Sequence, residues 1–143
     1  MALVTNPEAT RALLGFPTDR HGAQDFIPLL RRGFPSKTVA ALSKSLELPA
    51  VATWQLLGLA PRTLARRLSG RGRLTLDESE RVLRLALVLT TAVDVFGTIE
   101  KARAWLQKES RVLGDVPLRL LDTDVGASLV LDELGRIEHG VFA

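Results

Sequence analysis

The sequence predicts an all-α protein, and three observations carry the prediction. Apolar residues recur at steps of three and four along most of the chain, the period of one helix face, and no alternating run reaches strand length. Helix punctuation frames these stretches: Ser36, Thr75, Thr98 and Thr123 stand before them, and Gly58 and Gly97 stand after them. Hydrophobic residues make up 46% of the 143 positions, enough for a packed core and too many for global disorder.

The elements follow in order. Residues 1–34 hold Pro7, Gly15, Pro17 and Gly22 around a weak helical run from Glu8 to Leu14, and they read as a mobile or loosely docked arm. Ser36 is a good N-cap for a helix with Val39, Leu42 and Leu46 on one face. Pro49 opens the next helix, which runs through Val51, Trp54 and Leu57 and stops at Gly58, a natural left-handed residue. A short helix from Pro61 to Ser69 turns Leu64 and Leu68 inward, and Gly70 and Gly72 break the chain after it. Thr75 and Glu78 have capping-box spacing and start a long helix reaching about Phe96. From Leu85 to Val93 that helix is apolar almost all round, so it must be buried on all sides. A chain this small has little mass to bury it alone, which puts Leu85, Val88, Leu89, Ala92 and Val93 at an expected homodimer interface.

Gly97 ends that helix and Thr98 caps another, with Ala102, Trp105 and Leu106 inside and Lys101, Arg103 and Lys108 outside. Thr123 and Asp124 open the last helix. Its apolar stripe is Gly126, Val130, Leu134, Ile137 and Val141, with Ser128, Asp132, Glu133, Arg136 and His139 off the stripe. The expected organisation is an arm over 1–34, a DNA-binding and dimerisation domain over 35–97, and a separate helical unit over 98–143.

Composition excludes several classes. The absence of cysteine rules out a disulfide scaffold and a thiolate metal site and suits a reducing cytoplasm. The N-terminus has no signal-peptide pattern, and the longest apolar stretch, Leu85 to Phe96, falls well short of the roughly 20 residues a membrane span needs. The expectation is a cytoplasmic protein with no membrane role. The two histidines, His21 and His139, have no spaced partner, and no serine sits in a nucleophile-elbow context. Asp122 and Asp124 read as helix-start capping rather than metal ligation, and Gly70-Arg71-Gly72 lacks the lysine and length of a phosphate loop. Catalysis, a metal and a cofactor are therefore not expected.

Charge is uneven. Residues 1–97 carry 13 Lys/Arg against 8 Asp/Glu, whereas residues 98–143 carry 6 against 8. A basic body beside an acidic end points to a nucleic-acid face and a separate second function. Two helices joined by a glycine-centred turn, the second short and arginine-rich, read as a helix-turn-helix. Arg62, Thr63, Arg66 and Arg67 would offer donors to base edges and phosphates, and Arg71 and Arg73 would meet the backbone. The competing reading is an amphipathic helix with a solvated basic face. Such faces usually interleave glutamate, and no acid occurs from Arg62 to Leu76, which favours DNA.

From Gly58 onward the chain resembles the Xre/MbcA/ParS antitoxin family. One group of matching residues is Leu57-Gly58-Leu59, Arg62-Thr63-Leu64, Arg66-Arg67, Gly72-Arg73-Leu74 and Glu78-Ser79. The other is Val95-Phe96-Gly97, Ala102, Trp105-Leu106, Leu113-Gly114, Pro117, Leu120-Leu121-Asp122-Thr123, Gly126, Val130, Leu134, Arg136-Ile137 and Gly140. Ala60-Pro61 departs from the family's serine and polar residue, which removes the side-chain cap of the recognition helix. The motifs of the resemblance do not reach the arm before about Phe34.

The resemblance implies a Cro/repressor-like helix-turn-helix unit followed by a small toxin-binding domain. It implies a dimer that neutralises a RES-domain toxin, an NAD-degrading enzyme similar to ADP-ribosyltransferases, and that binds operator DNA to repress its own operon. Carried onto this sequence, the toxin face is the last helix and tail: Asp132, Glu133, Arg136, Glu138, His139, Gly140, Val141, Phe142 and Ala143. Phe142 is the candidate apolar plug. For Trp105 and the Gly126-to-Ile137 stripe the competing reading is core packing, and for His139 it is a solvated helix end. For the whole chain the alternative is a plain helix-turn-helix repressor whose C-terminal part only dimerises or senses a ligand.

Overall fold

One long helix, unable to leave most of its side chains in water, organises the fold. The computed structural model describes residues 6–18, 22–59 and 72–140. Among them are seven α-helices and no strand: α1 (Pro7–Leu14), α2 (Phe26–Arg32), α3 (Lys37–Leu46), α4 (Ala50–Leu56), α5 (Leu76–Phe96), α6 (Ile99–Leu106) and α7 (Asp124–Glu138). Short 3-10 turns lie at Ala23–Asp25 and Pro117–Leu120. α5 is the axis, and α1, α2, α3, α6 and α7 all pack against it.

The capping expectations for α5, α6 and α7 hold. The Glu78 N–H donates to Thr75 Oγ1 at 3.1 Å and the Thr75 N–H donates to Glu78 Oε1 at 2.9 Å, a reciprocal box. Thr98 accepts from the Lys101 N–H and Thr123 from the Gly126 N–H. At Gly97 and Thr98 the chain turns through 118° from α5 into α6. Gly126 has a second constraint: a Cβ there would lie 1.8 Å from the Leu120 carbonyl oxygen, so α7 can seat against the preceding 3-10 turn only without a side chain at 126.

The structure corrects several expectations. Leu85, Val88, Leu89 and Ala92 are at most 1% exposed within a single chain, and Val93 is half-buried. These side chains are core, covered by the chain's own helices, and are not a free dimer surface. The cover comes partly from the segment expected to be a loose arm. α1 buries Thr10, Arg11 and Leu14; Thr10 Oγ1 donates to Thr90 Oγ1 at 3.2 Å, and Phe16 meets Phe34 edge-on at 5.1 Å. An all-round apolar α5 needs a lid, and Thr10 and Leu14, one turn apart, supply it.

Ser36 does not cap α3. Its backbone is already helical, and its hydroxyl donates to the Gly72 carbonyl at 2.9 Å. On α4, Trp54 and Leu57 are buried, but Val51 stands 49% exposed. Arg103, expected on the outer face of α6, turns inward and keeps only 17% of its side chain exposed.

Candidate nucleic-acid interface and protein-docking helix

The structure describes both stems of the segment expected to read DNA. The outgoing stem is the end of α4. The Gly58 N–H donates to the Gln55 carbonyl at 3.0 Å and the Leu59 N–H to the Trp54 carbonyl at 3.0 Å, with Gly58 at φ +67°. This is a Schellman end, and it leaves the Leu57 and Gly58 carbonyls without partners from the helix itself. Arg81 of α5 takes both: Nη1 donates to Leu57 O at 3.2 Å and Gly58 O at 3.3 Å, while Nη2 is held by Asp77 at 2.9 Å.

The returning stem pairs with the entry to α3. The Leu74 N–H donates to Phe34 O at 2.8 Å and the Ser36 N–H to Gly72 O at 3.0 Å, an isolated antiparallel bridge centred on Pro35 and Arg73. Arg73 is exposed, and its Nη1 donates to Gly33 O at 2.9 Å. One donor of its fork is therefore structural and the rest remain for an anion. Arg62, Thr63, Arg66, Arg67 and Arg71, with the anchors Leu64 and Leu68, lie outside the described residues.

The second surface is α7. Its stripe is oriented as expected, with Gly126, Val130 and Leu134 buried and Ile137 half-buried. Asp132, Arg136, Glu138, His139 and Gly140 are exposed. Glu133 is not: it is 8% exposed, its Oε2 has no hydrogen-bond partner, and the Arg136 Nε lies 3.8 Å away. It stands three residues from Val130 and beside Leu134, so it shares their inward side, and it is removed from the set of accessible contacts. Val141, Phe142 and Ala143 lie outside the described residues.

The sequence reading missed two residues on this helix. Val125 is 71% exposed and Leu129 is 50% exposed, one turn apart on the outer face. The signal was present: both lie off the buried stripe at a spacing of four, an apolar pair on the side otherwise given to polar residues.

The start of α7 is tied to the axis. Arg84 Nη2 meets Asp124 Oδ1 at 2.9 Å, and Arg84 Nη1 donates to Leu121 O at 3.4 Å. This pair rims a cleft of about 300 Å³ between α2, α5 and α7, floored by Leu30, Leu83, Leu87 and Leu131. Asp124 thus serves an ion pair. Among the described residues no group of three or more His, Cys, Asp or Glu is arranged to hold a metal ion. Nor is any single described helix long and apolar enough to cross a membrane.

Comparison with known proteins bears on both surfaces. Residues 25–87 match the antitoxin Xre-like helix-turn-helix domain, and residues 91–140 match the antitoxin Xre/MbcA/ParS C-terminal toxin-binding domain. The chain is 35% identical over 130 residues to an Antitoxin Xre of Photorhabdus laumondii, covering 90% of this chain and 86% of the relative. It is also 35% identical over 139 residues to an Antitoxin Xre of Yersinia enterocolitica, covering 94% and 93%. A more distant relative, 28% identical over 150 residues and spanning 97% of this chain and 91% of its own length, is the Prs ADP-ribosylating antitoxin of a Sphingobium species.

Proposed function

The chain belongs to the Xre/MbcA/ParS antitoxin family, and from that premise we propose that it neutralises a RES-type, NAD-degrading toxin and, as a cytoplasmic homodimer, binds operator DNA to repress its own operon. The observation that carries the toxin half is the outer face of α7. Exposed Val125 and Leu129 offer an apolar centre, and Asp132 and Arg136 offer a charged rim, the composition of a protein-docking patch. The tail completes it, with His139 and Gly140 leading to Val141, Phe142 and Ala143 at the toxin's active-site entrance. Phe142 is the plug.

Support for the DNA half comes from the two braced stems. A basic segment whose flanking residues are held on both sides by hydrogen bonds can present Arg62, Thr63, Arg66 and Arg67 to a groove from fixed stems. Arg71 and the free donors of Arg73 then serve the phosphates. Dimerisation places two such units on one operator; since α5 is core, the shared surface lies elsewhere on the chain.

Co-expression with the neighbouring gene's product tests this reading. The full chain rescues growth and preserves cellular NAD, and removal of residues 139–143 abolishes the rescue. Rescue that persists without the tail refutes plugging and leaves α7 as the neutralising surface; no rescue by the full chain refutes the antitoxin pairing. The Sphingobium relative's name favours one second reading, a partner that transfers ADP-ribose to a protein. Labelled ADP-ribose on a cellular protein, with NAD only modestly reduced, would select it.

A further inference from the structure

The carboxyl end of α3 is completed by side chains from the toxin-binding domain. A helix leaves its last four carbonyls without partners, and the accounting for α3 closes in two steps. The Glu47 N–H donates to Lys44 O at 3.2 Å and the Leu48 N–H to Ser43 O at 3.0 Å, which is the local Schellman pairing. The two remaining carbonyls are taken from α6. Arg103 Nε donates to Ser45 O at 3.1 Å, and Gln107 Nε2 donates to Leu46 O at 2.9 Å. These donors are 58 and 61 residues away in sequence.

Glu47 makes the dependence stronger. It sits at φ +54°, the left-handed position that glycine normally fills, and among the described residues it is the only non-glycine with positive φ. Its carboxylate has a use there, since Arg103 Nη1 lies 3.5 Å from Glu47 Oε2. The guanidinium therefore holds both a helix end and the strained residue that turns the chain toward α4, which begins at Ala50.

We infer that Arg103 and Gln107 are positioning residues for DNA binding that reside in the toxin-binding domain. They fix the α3–α4 corner, and the corner fixes the direction in which α4 delivers the chain at Leu57 to Leu59. Without them the end of α3 frays and the corner samples several angles. Ordering it again is then charged against operator binding. The two family domains are consequently one mechanical unit. The inference rests on the DNA-binding reading above.

Full-length variants test it against a duplex from upstream of the chain's own gene, with toxin binding measured in parallel. Arg103→Ala lowers operator affinity about tenfold and Gln107→Ala about threefold, the scale of one or two lost hydrogen bonds. Toxin affinity and the salt dependence of DNA binding stay as in the wild type. Gln107→Ala removes no charge and only one bond, so it decides the matter if Arg103→Ala does not fold. In the Arg103→Ala chain, Glu47→Gly recovers part of the affinity by relaxing the left-handed position.

Unchanged operator affinity in Gln107→Ala overturns the inference. So does a salt slope lowered by about one unit in Arg103→Ala, which would mean a direct phosphate contact. Absence of recovery by Glu47→Gly also overturns it. A wild-type chain that binds no operator sinks the DNA reading and this inference with it, whereas wild-type binding with unaltered variants sinks the inference alone.

Discussion

α5 and α7 lie side by side, and both carry more apolar surface than one face needs. In α5 the excess is consumed internally. Leu85, Val88, Leu89 and Ala92 meet other helices of the same chain, and α1 closes the side that the bulk of the protein leaves open. In α7 the excess remains outside, at Val125 and Leu129. Hydrophobicity alone therefore does not locate an interface. The helix with the longer apolar run is core, and the helix with the ordinary amphipathic pattern presents the patch.

That contrast can be broken by substitution. Leu89→Ala removes a fully buried side chain and should cost about 2–5 kcal/mol of stability, read as a lower denaturant midpoint with unchanged slope. A cost near that of a surface change would put Leu89 outside the core. Leu129→Asp should leave stability within about 0.5 kcal/mol and weaken toxin binding by about 2 kcal/mol, roughly thirtyfold. Loss of both together would make α7's outer face structural and erase the distinction. The smallest effect sharpens the comparison. Both helices start on a threonine, so Thr75→Ala and Thr123→Ala should each cost about 1 kcal/mol in thermal unfolding. Each substitution removes one bond from a backbone N–H to the threonine hydroxyl, so the two costs should match, and the Thr75 backbone N–H keeps its bond to Glu78 in the alanine variant.

What could be read from sequence divides by distance along the chain. Thr75 with Glu78, Thr98 with Lys101, and Thr123 with Gly126 are caps whose partners lie three residues away, and each was legible. Ser36 carried the same kind of signal, but its hydroxyl bonds Gly72, which local pattern cannot see. Arg103 looked like a solvated residue because its partners, Ser45 and Glu47, lie at the end of another domain's helix. The α7 stripe was legible from its period, and Glu133 was misplaced because a charged residue at its edge reads as exposed. The docking of α1 was hidden by the Pro and Gly residues around it, although Thr10 and Leu14 already made a short stripe.

The position of α1 has one more consequence. The helix-turn-helix match begins at residue 25, yet α1 seals the seam between α3 and α5 from residues before that border. The unit that the helix-turn-helix match spans and the unit that folds are thus different lengths of chain. A fragment cut at residue 25 would keep every position of that match and still bare a greasy furrow to solvent, a surface that invites clumping.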